Sequence, residues 1–385
     1  MVAQIKSKGR VGIVTYIRSA NYGSALQAFA LQECVSSMGY DSYLIDWLDL
    51  SSWRNRAERY MHIASQLLWT VKAPRASLRL RLHTGHSRAQ TQKKQQAFAS
   101  FEKRCLRFMG GDYAQPGAFD AFICGSDQVW SLSMPGLHRT FFLRFAPPTK
   151  RIAYAPSFGA DSVPRHNRKI LSRYLRGMTY ISVRERSGVQ IVKEATGRDA
   201  PCVLDPVLLA GEGFWRDRIA LPTCDSGKPY VLAYLLSDNK PAYEHIKRYA
   251  ESRGARLVWV ESGVPAPSGA EMVTPDPMEF VSLVVGASGV ATDSFHGLAF
   301  SLLFRRSFML INRAYESNSA QGTRMESLLE LALGQKGSVD GLVRIQVDDT
   351  ADTVWQLVSS RLERERAKSG RYLASALEDV CKRRD

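Results

Sequence analysis

The chain has 385 residues, which is longer than one hydrophobic core usually covers. Hydrophobic residues make up 45% and charged residues 23%, which is ordinary for a globular protein. Its 52 Lys and Arg residues exceed its 37 Asp and Glu residues, and the net charge of +15 favours anionic partners. No apolar run approaches the roughly 18 residues that a membrane-spanning helix needs. Since no signal-peptide pattern follows the N-terminus either, we expect a cytoplasmic protein.

Strand and helix patterns alternate through the N-terminal half of the chain. Residues 11–16 have the pattern of a buried strand, a polar turn follows, and a helix is predicted over residues 25–38. Gly, Pro and polar residues accumulate over 210–228 and indicate a domain boundary. Further strands are predicted before it, at 43–45, 119–124, 152–155, 180–183 and 201–204.

A basic stretch interrupts this half at about residues 51–110. Between Arg54 and Arg104 there are twelve Lys and Arg residues but only two acids, Glu58 and Glu102. A basic helix can lie on an anionic lipid surface, and an apolar face recurs here at helical spacing: Tyr60, Ile63, Leu67, Leu68 and Trp69. An insertion that packs its apolar side on the body of the protein would show the same pattern, and both interpretations stay open.

A second alternation follows the boundary. The tail, residues 351–385, has the pattern of one or two amphipathic helices. Alternation in both halves predicts an α/β protein with two Rossmann-like, doubly wound domains. We assign residues 1–210 to the first domain, 211–345 to the second, and 346–385 to helices that pack across both. The predicted strands of the second half are 230–235, 256–260, 289–292 and 308–311, and the helices are 241–252, 278–285 and 298–304.

The loop Ser294-Phe295-His296-Gly297 lies between a short apolar strand and an apolar helix. Backbone N–H groups and the helix dipole at such a place suit a phosphate or a carboxylate. His296 adds a group that titrates near neutral pH, where an acid or base is most useful. A lone histidine at a helix start also has a purely structural interpretation, and the spacing alone leaves both open.

Three more polar loops follow predicted strands, where ligands of doubly wound sheets bind. The turn Asn21-Tyr22-Gly23-Ser24 can bind an anion or hydroxyl, or act as an N-cap. The loop 125–130 combines polar groups with an aromatic, which is typical of sugar contacts, and its Asp127 suits a general base or a turn cap. The run Arg184-Glu185-Arg186 suits phosphate or carboxylate binding, or a surface ion pair.

Motifs for common cofactors and metals are absent from the sequence. It contains no G-x-G-x-x-G or G-x-x-x-x-G-K-[ST] loop, no G-x-S-x-G elbow, and no CxxC pair. No His, Asp and Glu cluster has convincing metal spacing. We therefore expect no dinucleotide, no P-loop nucleotide and no bound metal.

Taken in order, the polar loops resemble the polysaccharide pyruvyl transferase family. Ser24 departs from the family pattern, where Asp or Asn is common, and so does Ser131, where Asn is usual. The basic stretch 51–104 has no counterpart, so nothing from the family transfers to it. The matches run from about residue 11 to 333: Asn21-Tyr22-Gly23 with 25–32, then 125–130, 182–185, 204–209, 292–297, and Arg324 before Leu328-Leu329.

The resemblance implies a GT-B-like fold with two domains facing across a cleft, the first on the acceptor side and the second on the donor phosphate side. It also implies phosphoenolpyruvate as donor and a sugar as acceptor, joined as a pyruvate ketal without metal or cofactor. We expect His296 to be the proton donor and Asp127 to take a proton from the acceptor hydroxyl. The predicted donor contacts are Arg184, Ser294, Phe295, Gly297 and Arg324, and the predicted acceptor contacts are Asn21, Tyr22, Gly23, Ser126 and Gln128.

Two rival interpretations remain. A GT-B glycosyltransferase using a nucleotide sugar would share the two-domain plan and a phosphate loop in its second domain. A basic nucleic-acid or membrane-binding module would explain the charge, but the His-bearing strand-end loops argue against it, and we expect no nucleic-acid partner. If the acceptor is a lipid-linked precursor of a cell-surface or exopolysaccharide, the stretch 54–104 would place a peripheral enzyme on the inner membrane face.

Overall fold

The structure is a computed structural model in which two α/β units follow one another along the chain. It describes residues 7–49, 51, 53–54, 56–57, 59–61, 63–64, 92–113, 115, 117–132, 137–220, 228–313, 322–338, 341–348 and 352–382. Within these residues the strands are β1 (Arg10–Val14), β2 (Asp41–Ile45), β3 (Phe108–Met109), β4 (Ala121–Cys124), β5 (Arg151–Ala153), β6 (Tyr180–Ile181), β7 (Tyr230–Tyr234), β8 (Arg256–Val260), β9 (Glu271–Val273), β10 (Gly289–Thr292), β11 (Phe308–Ile311) and β12 (Val343–Val347).

The α-helices cover both faces of the two sheets, because parallel strands need crossover connections. They are α1 (Tyr22–Ser37), α2 (Gln92–Cys105), α3 (Arg165–Arg176), α4 (Arg186–Thr196), α5 (Pro206–Arg216), α6 (Lys240–Glu251), α7 (Pro277–Gly286), α8 (Phe295–Leu303), α9 (Gly322–Leu333) and α10 (Asp352–Lys382).

The two sheets have the same strand order. The first is β3-β2-β1-β4-β5-β6 and entirely parallel, and the second is β12-β11-β10-β7-β8-β9, with β12 antiparallel to β11. When the strands of each half are numbered 1 to 6 along the chain, both sheets have the Rossmann order 3-2-1-4-5-6, the second being read from β9 to β12. The chain order reverses between β1 and β4 in the first sheet and between β7 and β10 in the second, and these are the points where such sheets bind ligands. The prediction of two Rossmann-like domains in a GT-B-like fold is confirmed.

Several predicted elements differ in their bounds, and the causes are local. Residues 201–204 form no strand, since Cys202 makes only an isolated bridge to Val183. Helices α1 and α8 begin three residues earlier than predicted, because Asn21 and Ser294 act as side-chain N-caps. The sequence patterns missed β3, β9 and β12, which are short or partly exposed edge strands without a buried apolar run.

Helices α5 and α2 connect the two halves of the molecule. Helix α5 lies at the predicted domain boundary, and α2 lies in the basic stretch. The predicted boundary at residues 210–211 falls inside α5, at a kink where Gly211 has φ +85°. Helix α5 packs on both α1 and α8. Helix α2, from the basic stretch, packs Phe98 and Phe101 into the core that contains Phe280 of α7.

The tail is one helix, α10, and it contacts both halves. Near its start Val358 and Leu362 join the core of the second half, and near its end Leu373 and Leu377 pack with residues of β1 and α1. Between these points the Arg366 side chain donates to the Leu208 carbonyl of α5 at 2.9 Å. Within the part of the chain that the structure describes, α10 included, no helix is long and apolar enough to cross a membrane.

Replacing Leu373 with Ala should lower the free energy of unfolding by about 2–5 kcal/mol, since its side chain is fully buried against the first sheet. Denaturant unfolding followed by circular dichroism measures this. Leu357→Ala is the control on the same helix; it is 47% exposed and should change stability by less than about 0.5 kcal/mol. Equal midpoints for the two variants would contradict the assigned docking of α10.

Candidate active site

The turn after β1 supports the site rather than opening onto it. The Asn21 side chain caps α1 by accepting from the Ser24 N–H at 3.1 Å, and the Ser24 hydroxyl donates to Asp127 Oδ2 at 2.6 Å. Tyr22 was predicted to contact the acceptor, but it is fully buried, donates to the Pro275 carbonyl at 3.0 Å and stacks on Phe280 at 4.8 Å. Its ring therefore packs between the two halves of the molecule, and the acceptor role expected for it stays a prediction.

Gly23 lies directly against the imidazole of His296. A Cβ atom at this position would overlap His296 Nδ1 and Cγ. The sequence suggested Gly23 as part of an acceptor-binding turn, but the structure gives another reason for a glycine here. It lets the first turn of α1 approach the histidine of the other domain.

The loop after β4 places a carboxylate beside that histidine. Gly125 has φ +116° and a Cβ there would overlap the Tyr154 carbonyl oxygen, so only glycine fits. Ser126 is fully buried, and its hydroxyl is within hydrogen-bond distance of the Ala155 carbonyl (3.0 Å) and Asp205 Oδ2 (2.9 Å). The Ser126 hydroxyl is therefore used inside the protein, and its contact with the acceptor stays a prediction.

Asp127 itself is 8% exposed and adopts φ +70°. Burial alone would raise the pKa of its carboxyl, but Arg184, His296 and the Ser24 hydroxyl outweigh burial and hold the pKa below its ordinary value. Asp127 is thus a carboxylate at neutral pH and can accept a proton. The neighbouring Gln128 donates its backbone N–H to Asp127 Oδ1 at 2.8 Å, and its half-buried side chain lies near Gly159.

Asp205 lies at the centre of the charged groups, and in the sequence it stands within the matching segment 204–209 without an assigned role. It caps α5 by accepting from the Val207 N–H at 3.0 Å, and Arg184 Nη1 donates to its Oδ2 at 2.6 Å. His296 Nε2 lies 3.6 Å from the same oxygen. Burial opposes ionisation of this side chain, but the neighbouring His296 and Arg184 hold its pKa far below the ordinary range.

Arg184 reaches from the first domain toward the second. Its guanidinium stacks over the Phe295 ring at 4.3 Å, and Nη2 lies 3.7 Å from Asp127 Oδ1. The side chain is 1% exposed, yet Nε and Nη2 have no hydrogen-bond partner among the described residues. Buried N–H donors of this kind require an explanation, and a bound anion supplies one.

The His296 loop resembles the predicted anion site in part. Ser294 accepts from the Gly297 N–H at 3.5 Å, and its own N–H donates to Thr292 Oγ1 at 3.0 Å, so both N–H groups are used internally. The donor contact expected of Gly297 stays a prediction, and its N–H already has a partner at that distance. Within the part of the chain described, the N–H groups of Phe295 and His296 have no acceptor, and neither does His296 Nε2.

Arg324 of α9 is 5% exposed and completes the charged cluster. Burial, together with the nearby charges of Arg313 and Arg184, lowers its pKa to about 9. No sequence motif pointed to Arg313, which lies beyond β11. Asp293, fully buried beside it, stood in the matching segment 292–297 but had no role assigned to it. Among the described residues, no group of three or more His, Cys, Asp and Glu could hold a metal ion.

The structure thus brings together His296, Asp127, Arg184 and Arg324, which the sequence predicted, with Asp205 and Arg313, which it did not. Asn21 caps α1, and Tyr22 packs between the two halves. Chemically the cluster holds a carboxylate that can accept a proton, a histidine that can carry one, and buried guanidinium groups suited to an anion. The catalytic and binding roles of these residues remain predictions.

Gly23→Ala should lower the free energy of unfolding by about 1–3 kcal/mol, because the new methyl group overlaps the His296 ring in a packed interior. Gly213→Ala is the matched control. That glycine is also helical but faces open space, so alanine should stabilise the protein by about 0.5–1 kcal/mol. Thermal unfolding of both variants tests the contact, and a Gly23→Ala protein as stable as the wild type would refute it.

Solved structures of other proteins are similar to parts or most of this chain. The chain is similar to the glycosyltransferase SnogD from Streptomyces nogalater, with 14% identity over 95% of this chain and 99% of that one and a TM-score of 0.46. It is also similar to UDP-GlcNAc 2-epimerase from Neisseria meningitidis, with 11% identity, coverage of 82% and 86%, and a TM-score of 0.40. No curated protein sequence matches the chain.

A family profile also matches most of the chain. The profile described as polysaccharide pyruvyl transferase matches residues 21–315, which include the Asn21 turn, the Asp127 loop, Arg184, Asp205 and His296. The chain therefore belongs to the polysaccharide pyruvyl transferase family.

Proposed function

We propose that this protein transfers pyruvate from phosphoenolpyruvate to a sugar of a cell-surface or exopolysaccharide precursor as a ketal. The observation that carries the proposal is the meeting of Arg184 and His296 from opposite domains. Both are buried, both contact Asp205, and each has polar nitrogen atoms without a hydrogen-bond partner among the described residues. Phosphoenolpyruvate carries the two kinds of anionic group that such donors bind.

The phosphate suits the space between the two domains. Arg184 Nε and Nη2 come from the first domain, and the N–H groups of Phe295 and His296 come from the first turn of α8 in the second. A phosphate that accepts from both would make charge-assisted hydrogen bonds. It would also be attracted by the partial positive charge at the N-terminus of α8.

The reaction needs an acid and then bases. Protonated His296 gives its proton to the methylene carbon of the donor, which becomes a methyl group and leaves C2 electrophilic. One sugar hydroxyl oxygen bonds to C2 and loses its proton to Asp127, the carboxylate already ionised at neutral pH. The bond from C2 to the phosphate oxygen then breaks, a second hydroxyl oxygen bonds to C2, and its proton leaves with the released phosphate.

His296→Ala should reduce ketal formation from phosphoenolpyruvate by about 10²–10⁴-fold, the usual contribution of a positioned general acid. Phosphate release and the mass of the pyruvylated product, with a panel of free and lipid-linked oligosaccharides as acceptors, measure the rate. His166→Ala, at an exposed position on α3, is the control and should leave the rate unchanged. Full activity of the His296→Ala variant would show that His296 is not the general acid.

Thermal-shift titration separates this activity from nucleotide-sugar glycosyl transfer. Stabilisation of the protein by phosphoenolpyruvate, and not by UDP-glucose or GDP-mannose, supports pyruvyl transfer, because only a ligand of the folded state raises the unfolding temperature. Stabilisation by the nucleotide sugars alone would favour the glycosyltransferase.

We also propose that the start of the basic stretch contacts an anionic membrane, where a lipid-linked acceptor would be found. The described residues between 53 and 64 are helical, and Arg54, Arg56 and Arg59 lie among them. Large apolar side chains of this segment are exposed: Trp53 (63%), Tyr60 (69%), Met61 (45%) and Ile63 (43%). A basic helix with such a face suits an anionic lipid surface. Leu67, Leu68 and Trp69 of the predicted face lie outside the described residues.

The double variant Tyr60→Glu and Ile63→Glu should weaken binding to vesicles containing phosphatidylglycerol by roughly tenfold or more, since it removes apolar contacts and adds charge repulsion. Co-sedimentation measures the bound fraction. Met272→Glu, at a 50% exposed methionine of β9, is the control. If the wild type binds neutral and anionic vesicles equally, or the double variant binds like the wild type, the proposed surface is wrong.

A further inference from the structure

Helix α3 carries positive charge along the whole of its exposed side. Its basic residues recur at positions i, i+3, i+4, i+8 and i+11, which lie on one side of an α-helix. The opposite side is buried, and Leu171, Tyr174 and Leu175 pack there in the core of the first domain. The helix therefore presents a basic face about 18 Å long. This basic face consists of five exposed residues: Arg165, Arg168, Lys169, Arg173 and Arg176.

No carboxylate among the described residues pairs with the basic face. Residues 162–184 contain no Asp or Glu, and none of the five side chains takes part in an ion pair with another described residue. Helix α4 packs against α3, but its charged side chains have partners elsewhere. On α4, Lys193 pairs with Asp199 at 2.7 Å, and Glu194 accepts from Gln190 at 3.2 Å. The positive charge of the basic face is therefore not balanced within the described part of the protein.

This arrangement is unfavourable for the helix itself. Lys169 lies four residues from both Arg165 and Arg173, so like charges are neighbours along the basic face. Arg165 and Arg168 also stand in the first turn, where the helix dipole repels cations and no acidic residue compensates. Mixed charges would stabilise an exposed helix, so a face of one sign indicates an anionic partner.

The basic face lies on the same side of the first sheet as the helical segment 53–64. A 3₁₀ turn, Arg139–Phe142, connects the two. Arg139 Nη2 donates to Met61 Sδ at 3.8 Å, and the Phe142 ring lies 5.2 Å from the ring of Tyr174 on α3. The turn and α3 also pack into one core, which contains Phe122 of β4. Segment 53–64 and α3 are therefore neighbours on the outer surface of the first domain.

We propose that the basic face of α3 binds the head groups of an anionic membrane, beside segment 53–64. This rests on the membrane contact proposed above and extends it from one segment to a surface of the first domain. Lysine and arginine side chains pair with lipid phosphates, while exposed apolar side chains enter the boundary of the acyl chains. A nucleic acid would use the same charge but would give the exposed Met61 and Ile63 no apolar region to enter.

Co-sedimentation with vesicles containing phosphatidylglycerol tests the basic face. The triple variant Arg165→Gln, Lys169→Gln and Arg176→Gln should weaken binding by roughly 100-fold, since each basic residue near an anionic surface contributes about fivefold. These three side chains make no hydrogen bond with another described residue, so the variant should unfold at the same temperature as the wild type or slightly above it. Binding of the wild type should fall as the salt concentration rises.

A second triple variant, Lys240→Gln, Arg248→Gln and Lys336→Gln, is the matched control. It removes the same charge from exposed positions of the second domain. In 0.15 M salt, where charges interact over about 8 Å, it should change vesicle binding by less than about twofold. An equal loss in both triple variants would show that net charge alone drives binding and would overturn the role of α3.

The other outcomes separate this inference from the two proposals before it. If the basic-face variant binds like the wild type while Tyr60→Glu and Ile63→Glu weaken binding, only segment 53–64 contacts the membrane and α3 does not. Tighter binding to double-stranded DNA than to the vesicles at the same salt concentration would assign the basic face to nucleic acid. A wild-type protein that binds no anionic vesicle would overturn both membrane contacts. Pyruvyl transfer to a free oligosaccharide is measured without a membrane, so its presence or absence decides the proposed reaction independently.

Discussion

The buried carboxylate of Asp205 holds the charged cluster together. It caps α5, it is within hydrogen-bond distance of the Ser126 hydroxyl, it pairs with Arg184 of the same domain, and it lies near His296 of the other domain. Removing such a group from water is costly, and the cost is offset only while these partners remain in place. Because the partners come from both domains, the ionised Asp205 makes the arrangement of the domains and the geometry of the cluster depend on each other.

The shared strand order of the two sheets explains why these groups meet. In the first sheet the order reverses between β1 and β4, and the loops there supply Ser24 and Asp127. In the second sheet it reverses between β7 and β10, and the loops there supply Asp293 and His296. Each sheet therefore presents its own ligand-binding end, and the two ends face one another. Neither domain alone contains both the carboxylate and the histidine.

Sequence reasoning located the loops well because each carries a local signal. A capping Asn or Ser before an apolar helix, or glycine at a tight turn, depends on neighbours in the chain. The roles of single residues depend on contacts across the fold, and these the sequence did not reveal. Gly23 leaves room for His296, and Tyr22 and Ser126 are buried. Arg313 donates to the Asp293 carbonyl. Asp205 stood in a recognised segment, but its partners are distant in sequence.

The burial of the cluster sets the strength of its interactions. His296, Arg184 and Asp127 are each less than 10% exposed, and charges interact more strongly in such surroundings than in water. Unpartnered N–H groups of Arg184 and of the first turn of α8 lie on opposite sides of the domain interface. If the proposed donor phosphate accepts from both sides, it binds best when the two domains are in contact, and differential binding of this kind favours that arrangement. The proposed donor would then stabilise the same contact that brings His296 and the Asp127 carboxylate together.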